Sequence, residues 1–586
     1  MSKVASAESL QSRSAFKLKE FCHIEEVGGA IAKAVDPMGA FSSIINAQMA
    51  WLAHPQEYLR ASSCLSDDLM ELTGHVMRRA MGLKSEDVIV PNADDGRFTD
   101  PAWVNDATWD IVKEWYLAFT HRWQDMYYDT PGLSEKARRR AAFWSRKWIN
   151  MMAPTNFFWL NPVAMRRCVE TNGESVVRGL KNLMRDVKAK NILMVDPDAF
   201  VVGKDLALTP GKVVMRNELV ELLHFEPTTE KVHETPILIV MPWINKFYIL
   251  DLTPKKSMVK YLTDQGYSVF MTSWKNPTAE MANTRFDDYL EKGVIESVRV
   301  VTEFCKVPQI NMVGYCIGGS LVATYMAWAN RHYAADKMPI KSWTLFTTLT
   351  DFSNPGDIEV FLNEDTIESM EEGMKKKGYL EGNQMSSAFR MLRSNGLIWN
   401  YWVHSYLLGE DLPPFDVLFW NMDTTRMPYA MHSWYLREMY LQNNLIKRDH
   451  LHVAGEPIDL DQITQPLYAV TAEDDHIAPW KACYRIRKFV NVKAPVRFVV
   501  STSGHILGIV NPPTNPPKRA YWVGEPERNE SWERWMDRAE KRKGTWWEDW
   551  MVWLNERSGP MVPAYPVENK KFPGLGDTPG TYVLEK

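Results

Sequence analysis

The chain has 586 residues, more than one ordinary core holds, so two domains or one elaborated domain are expected. Apolar content of 45% and charge of 24% are ordinary for a globular protein, and a net charge of −5 gives no general basis for binding nucleic acid. The start, "MSKVASAESLQSRSAFKLKE", lacks the apolar core of a secretory signal, no uninterrupted apolar stretch reaches roughly 18 residues, and the six cysteines form no CxxC pair, so secretion, a transmembrane helix and a disulfide framework are all disfavoured in favour of free thiols in a reducing cytoplasm.

Residues 1 to about 200 read as a mainly helical domain. "NDATWDIVKEWYLAFTHRWQDMYY" and "SEKARRRAAFWSRKWINMM" carry apolar residues at helical spacing. Pro131-Gly132 separates them, and Ser134 is placed to cap the second. "PNADDGRFTDPAW" and "APTNFFWLNP" read as loops, and no catalytic signature occurs in this half.

From about residue 201 strands and helices alternate to the end. "TPILIVMPWI" is a buried strand, "KKSMVKYLTDQG" a helix, "YSVFMTSW" the next strand, and "FDDYLEKGVIESVRVVTEFC" a long helix leading to "INMVGY". "KSWTLFTTLTD", "QPLYAVTAEDD" and "APVRFVVSTSGH" supply further strands. Alternation of this kind implies crossovers and a mostly parallel sheet with helices on both faces. Residues 352 to 462 interrupt it with a stretch rich in Trp, Tyr and Met, read as a lid or cap over the sheet's active end. After Ser558 the Pro- and Gly-rich tail is expected to be extended, ordered only by docking.

"GYCIGGS" (314–320) stands between the "INMV" strand and a helical stretch, a strand–turn–helix with glycines flanking one reactive side chain. That is the nucleophile elbow of an α/β-hydrolase fold, with cysteine where serine is usual. A chain of this composition supplies only about 0.02 chance occurrences of G-x-C-x-G. Cys316 is therefore the candidate nucleophile, set at a helix N-terminus whose dipole favours a negative sulfur. In this fold an acid and then a histidine follow the nucleophile. Asp475 ends the "PLYAV" strand segment and His505 ends "VRFVV", so His505 is placed to take the thiol proton and Asp475 to orient it, with Asp474 the rival acid. The backbone N–H groups of Ile317, after the nucleophile, and of Ile244 or Asn245, after "PILIVMP", are the candidate oxyanion donors. Lys246 beside them serves either a phosphate or the fold. "DDH" lacks partners at metal-ligand spacing, so no metal site is expected.

Cysteine attack on an acyl thioester gives another thioester, which keeps the acyl group activated for a second transfer. The residues thus point to acyl transfer and leave the acceptor open. "ALTPGKVV", "INKFYILDL", "SWKNP", "GYCIGGS", "TTLTDFSNPG", "LIWNYWV", "PFDVLFWNMD", "DHIAPW", "SGHILGIVNPP" and "GTWWEDWMVWL", in order over about residues 150 to 585, resemble the class I polyhydroxyalkanoate synthases.

The resemblance implies polymerisation of (R)-3-hydroxyacyl-CoA, with (R)-3-hydroxybutyryl-CoA the leading substrate, CoA released, and the growing polyester held as a thioester on Cys316. The family's nucleophile, aspartate and histidine fall on Cys316, Asp475 and His505, and the acceptor becomes the 3-hydroxyl of the next unit. It further implies no cofactor beyond the CoA thioester substrate, a homodimer with Trp420 of "FWNMD" at the dimer or lid contact, cytoplasmic polymer granules and granule-associated proteins as partners. Trp243 and "TTRMP" depart from the family's usual residues and bear on pocket shape. The competing enzyme reading is a cysteine-dependent thioesterase or esterase of the same fold. A non-catalytic granule-binding protein is the third.

Overall fold

The computed structural model describes residue 36 and residues 38–83, 85–91 and 95–586; the N-terminal stretch examined for a secretory signal, Cys22 and part of the "PNADDG" loop lie outside them. The chain divides into two units, Met1–Asn172 with Asn363–Met370, and Gly173–Leu362 with Glu371–Lys586.

The first unit is helical. Its main elements are α1 (Ala40–Ala53), α2 (Pro55–Ala80), α3 (Ala107–Tyr128) and α4 (Glu135–Met151). The Asp106 carboxylate caps α3 by accepting from the Thr108 N–H at 2.8 Å, and Ser134 Oγ caps α4 by accepting from the Ala137 N–H at 3.3 Å. Ala47, Tyr127, Ala141 and Ala142 form one buried cluster, and Phe98, Trp103 and Leu117 another. The carboxylates of Asp87, Asp110 and Glu114 converge on the Lys113 ammonium at 3.0, 3.2 and 3.2 Å, so this acidic group encloses a cation of the protein's own.

In the second unit a ten-stranded sheet forms from β1 (Gly211–Arg216), β2 (Val220–Phe225), β3 (Ile237–Val240), β4 (Val269–Trp274), β5 (Ile310–Tyr315), β6 (Ile340–Phe346), β7 (Leu467–Ala472), β8 (Val496–Ser501), β9 (Ala520–Gly524) and β10 (Glu540–Lys543). The spatial order is β1-β2-β4-β3-β5-β6-β7-β8-β9-β10. Strands from β4 through β8 pair in parallel, flanked by antiparallel pairs at both edges. Every residue of β3, β4, β5 and β7 is buried, which is why these strands are unbroken apolar runs in the sequence. The covering helices include α5 (Glu174–Ala189), α6 (Met258–Asp264), α7 (Glu296–Cys305), α8 (Ile317–His332) and α9 (Trp546–Asn555).

Three features differ from the sequence reading. The β1–β2 hairpin and the β9–β10 pair extend the sheet beyond the strands expected. The long helix before β5 widens into a π-helical turn over Tyr289–Ile295, where a Cβ on Gly293 would lie 2.4 Å from the Trp274 ring. The units divide at Asn172 and not near residue 200, because α5 packs on the π-helical turn Trp402–Leu407: a Cβ on Gly179 would lie 1.9 Å from the Tyr406 carbonyl oxygen.

Between β6 and β7 the insertion is built of short helices, Gly382–Leu392, Asp416–Met422 and Tyr429–Tyr435 among them, and further π-helical turns. The C-terminal tail is docked. Met561–Pro563 pairs with Lys231–His233, and the Val213 N–H donates to the Gly576 carbonyl at 2.9 Å, covering the outer edge of β1. Among the described residues no helix is long and apolar enough to cross a membrane.

Candidate active site

The elbow forms because β5 ends against α8 with glycine at each close approach. Cβ atoms on Gly314, Gly318 and Gly319 would lie 2.5 Å from Gly319 Cα, 2.6 Å from the Val240 carbonyl oxygen and 1.9 Å from Thr348 Oγ1. The bend falls on Cys316 itself, with φ 52° and ψ −124°, a conformation that L side chains rarely adopt. Its N–H donates to the Phe346 carbonyl at 2.9 Å, and its carbonyl accepts from Gly319 and Ser320 at 2.9 and 3.2 Å. The strained residue is thus pinned by β6 on one side and the first turn of α8 on the other. Cys64, Cys168, Cys305, Cys316 and Cys483 carry free thiols; Cys305 and Cys483 are buried.

Asp475 and His505 follow the C-terminal ends of β7 and β8, two parallel neighbours, and this brings them together. His505 Nδ1 and Asp475 Oδ2 are 2.7 Å apart, with the two residues only 7% and 6% exposed. The other Asp475 oxygen accepts from the Ile477 and Ala478 N–H groups at 2.8 and 2.9 Å, which fixes the carboxylate's orientation. Asp474 points to solvent. A side-chain hydrogen bond joins His505 to Cys316. Burial alone lowers the imidazole pKa, but the charges of Asp475 and Cys316 and the hydrogen bonds to both outweigh it and raise the pKa from 6.5 to about 10. The imidazole therefore holds a proton firmly between a carboxylate and a sulfur.

The loop carrying His505 is held by α9. Trp546 Nε1 donates to the Gly508 carbonyl at 2.8 Å, Trp547 Nε1 to the Ile509 carbonyl at 2.9 Å, and Trp550 Nε1 reaches Thr344 Oγ1 on β6 at 3.1 Å. All three indoles are buried. Tyr315 lines the other side, its ring roughly parallel to the imidazole at 5.9 Å.

The loop after β3 comes to the elbow through Gly318, whose Cβ would also lie 2.7 Å from the Met241 carbonyl oxygen. This approach sets the loop bearing Ile244 beside the turn bearing Ile317. The Ile244 carbonyl is engaged by the Thr425 N–H at 3.2 Å, and Asn245 bridges Thr424. Lys246 serves the fold: only 3% exposed, its ammonium donates to the Val583 and Glu585 carbonyls at 2.9 and 2.5 Å. Trp420 is 4% exposed and donates through Nε1 to the Lys246 carbonyl at 2.6 Å. In this chain it ties the insertion to the β3 loop. Trp243 is likewise buried, against Tyr289 at 4.7 Å and Trp274 at 5.8 Å, so its bulk fills core.

Tyr435 and Tyr440 were not singled out from the sequence, where two tyrosines in an aromatic-rich insertion carry no motif. Both phenols are raised in pKa by burial first and then by neighbouring charges that include Cys316, and Tyr435 also hydrogen-bonds Ser320. The charge of Cys316 is thus felt by two buried phenols of the insertion.

Two family models match the chain: "Poly-beta-hydroxybutyrate polymerase (PhaC) N-terminus" over residues 94–262 and "alpha/beta hydrolase fold" over residues 248–512. The poly(3-hydroxyalkanoate) polymerase subunit PhaC of Rhizobium etli is 36% identical over 572 residues, covering 96% of this chain and 88% of its own. The poly(3-hydroxyalkanoate) polymerase of Methylorubrum extorquens is 36% identical over 591 residues (99% and 96%), and the PhaC subunit of Cupriavidus necator is 38% identical over 499 residues (84% and 83%). With the α/β-hydrolase fold and identity of this extent over nearly the whole chain, the protein belongs to the poly(3-hydroxyalkanoate) polymerase family.

Proposed function

We propose that this chain polymerises (R)-3-hydroxyacyl-CoA, (R)-3-hydroxybutyryl-CoA foremost, into polyhydroxyalkanoate through an acyl thioester on Cys316. The observation that carries the reading is the strained cysteine elbow facing a His505–Asp475 pair at 2.7 Å. In the loading step the Cys316 sulfur attacks the thioester carbonyl while His505 holds the thiol proton. The negative carbonyl oxygen is received by the backbone N–H groups of Ile317 and Ile244. The carbonyl re-forms, the bond to CoA sulfur breaks, and His505 returns the proton to the departing CoA thiol. In the transfer step the 3-hydroxyl of another unit gives its proton to His505 and attacks the Cys316 thioester. An ester forms and the sulfur is released for the next cycle. Cysteine suits this sequence because the stored acyl group stays activated.

The insertion acts as a lid over the thioester. No cofactor or metal enters the cycle. The enzyme works as a homodimer on polymer granules in the cytoplasm, alongside granule-associated proteins.

The test is incubation with (R)-3-hydroxybutyryl-CoA, following CoA by thiol titration and the acyl product by solubility. CoA release with insoluble polyester is expected. Stoichiometric soluble 3-hydroxybutyrate would overturn the reading in favour of a thioesterase.

A further inference from the structure

α5 shows three distinct faces along its 16 residues, roughly 24 Å of helix. The inner face is small or polar and fixed. Gly179 lies against the Tyr406 backbone, the Tyr406 hydroxyl donates to Asp186 at 2.6 Å, and Asn182 donates to the Ser405 carbonyl at 3.0 Å. With these contacts made, the helix cannot roll to hide its other sides. The second face is a continuous apolar stripe: Val176, Val177, Leu180, Met184 and Val187 are 42%, 54%, 52%, 63% and 68% exposed. At 100° per residue all five fall within about 100° of arc. The third face runs alongside the stripe and is basic, with Lys181, Arg185 and Lys188 exposed. Arg185 gives its Nε to Asp186 at 2.9 Å.

A neutral polyester would cover the stripe and give Lys181 and Lys188 no counter-charge. A second copy packed on the stripe would set two basic rows side by side. An anionic phospholipid surface satisfies both features at once, since acyl chains take the apolar side chains and headgroups take the cations. We propose that α5 is an interfacial helix that docks the enzyme on an anionic phospholipid surface.

The test is co-sedimentation of the full chain with phosphatidylglycerol vesicles and with phosphatidylcholine vesicles. Binding to the first at least tenfold tighter than to the second, and weakening as salt rises, is expected. Lys181→Gln with Lys188→Gln should lower affinity for phosphatidylglycerol roughly 25-fold, about fivefold per charge. Leu180→Asp with Met184→Asp should abolish binding, with circular dichroism and CoA release unchanged in both variants. Absence of binding, equal binding to the two lipids, or indifference to the charge-removing pair would overturn the proposal. So would a vesicle-free shift from dimer to monomer caused by the stripe variant, since that would assign the face to a second copy.

Discussion

Gly318→Ala isolates the approach between the elbow and the β3 loop. The added methyl would stand 2.6 and 2.7 Å from two backbone carbonyl oxygens, those of Val240 and Met241, where ordinary contact begins near 3.4 Å. The elbow must retreat by roughly 0.8 Å, because neither oxygen belongs to a side chain that can rotate away. Overpacking of this kind costs about 1–3 kcal/mol of stability. The larger effect falls on catalysis, since a misplacement near 1 Å costs about 100-fold in rate. We expect a folded protein with a melting temperature lowered by a few degrees and CoA release from (R)-3-hydroxybutyryl-CoA down about 100-fold. Gly319→Ala is the control. Its methyl meets the Thr348 side chain at 1.9 Å, so Thr348→Gly should restore much of the activity there and nothing in Gly318→Ala. If Gly318→Ala keeps more than a third of wild-type kcat, the oxyanion donors are not set by this approach and the reasoning fails.

Asp475→Asn should lower kcat by about 10³–10⁴ while leaving the fold intact, measured as initial CoA release. The same substitution should flatten the alkaline limb of stability. The raised His505 pKa contributes stability that is complete below about 6.5 and is lost as pH rises toward about 10, so a urea-midpoint profile over that window reads it directly. The acid limb has the opposite sign and a different source. Burial lowers the pKa of both His224 and His432 from 6.5 to about 4, so the unfolded chain binds two more protons between those values and stability falls as pH drops through the window. The slope should be about 3 kcal/mol per pH unit for the pair, and roughly half that in His432→Phe. Trp547→Phe removes one of the two hydrogen bonds to the buried Ile509 carbonyl, which keeps the Asn511 N–H at 2.9 Å, at a cost of about 1 kcal/mol, and should lower kcat more than it changes KM because the His505 loop loses an anchor. An unchanged kcat would remove α9 from the support of that loop.

The central strands were legible because burial on both faces makes each an apolar run. The elbow was legible because so tight a turn needs glycine at fixed positions around Cys316. Asp475 and His505 lie in short stretches after strands, where chain order alone separates them from other acids and histidines; between Asp474 and Asp475 the choice needed the distance to the imidazole. The edge strands were not legible. β10 reads Glu540-Lys541-Arg542-Lys543, with no apolar alternation, and forms because β9 offers it backbone partners. The role of α9 was hidden for another reason. A row of tryptophans at helical spacing announces burial, but not that two of the indole N–H groups hold the loop that carries His505. Tyr435 and Tyr440 come under the influence of the Cys316 charge only through the path of the insertion, which no local pattern encodes.

Both borders of the ten-stranded sheet are shut. On one side the C-terminal tail occupies the hydrogen-bonding groups of β1, and on the other the outermost strand is wholly charged. A large parallel sheet with bare margins would offer a template on which neighbouring molecules fuse strand to strand. Sealed this way, crowded copies stay separate, each free to move apart, rather than cementing into fibrils.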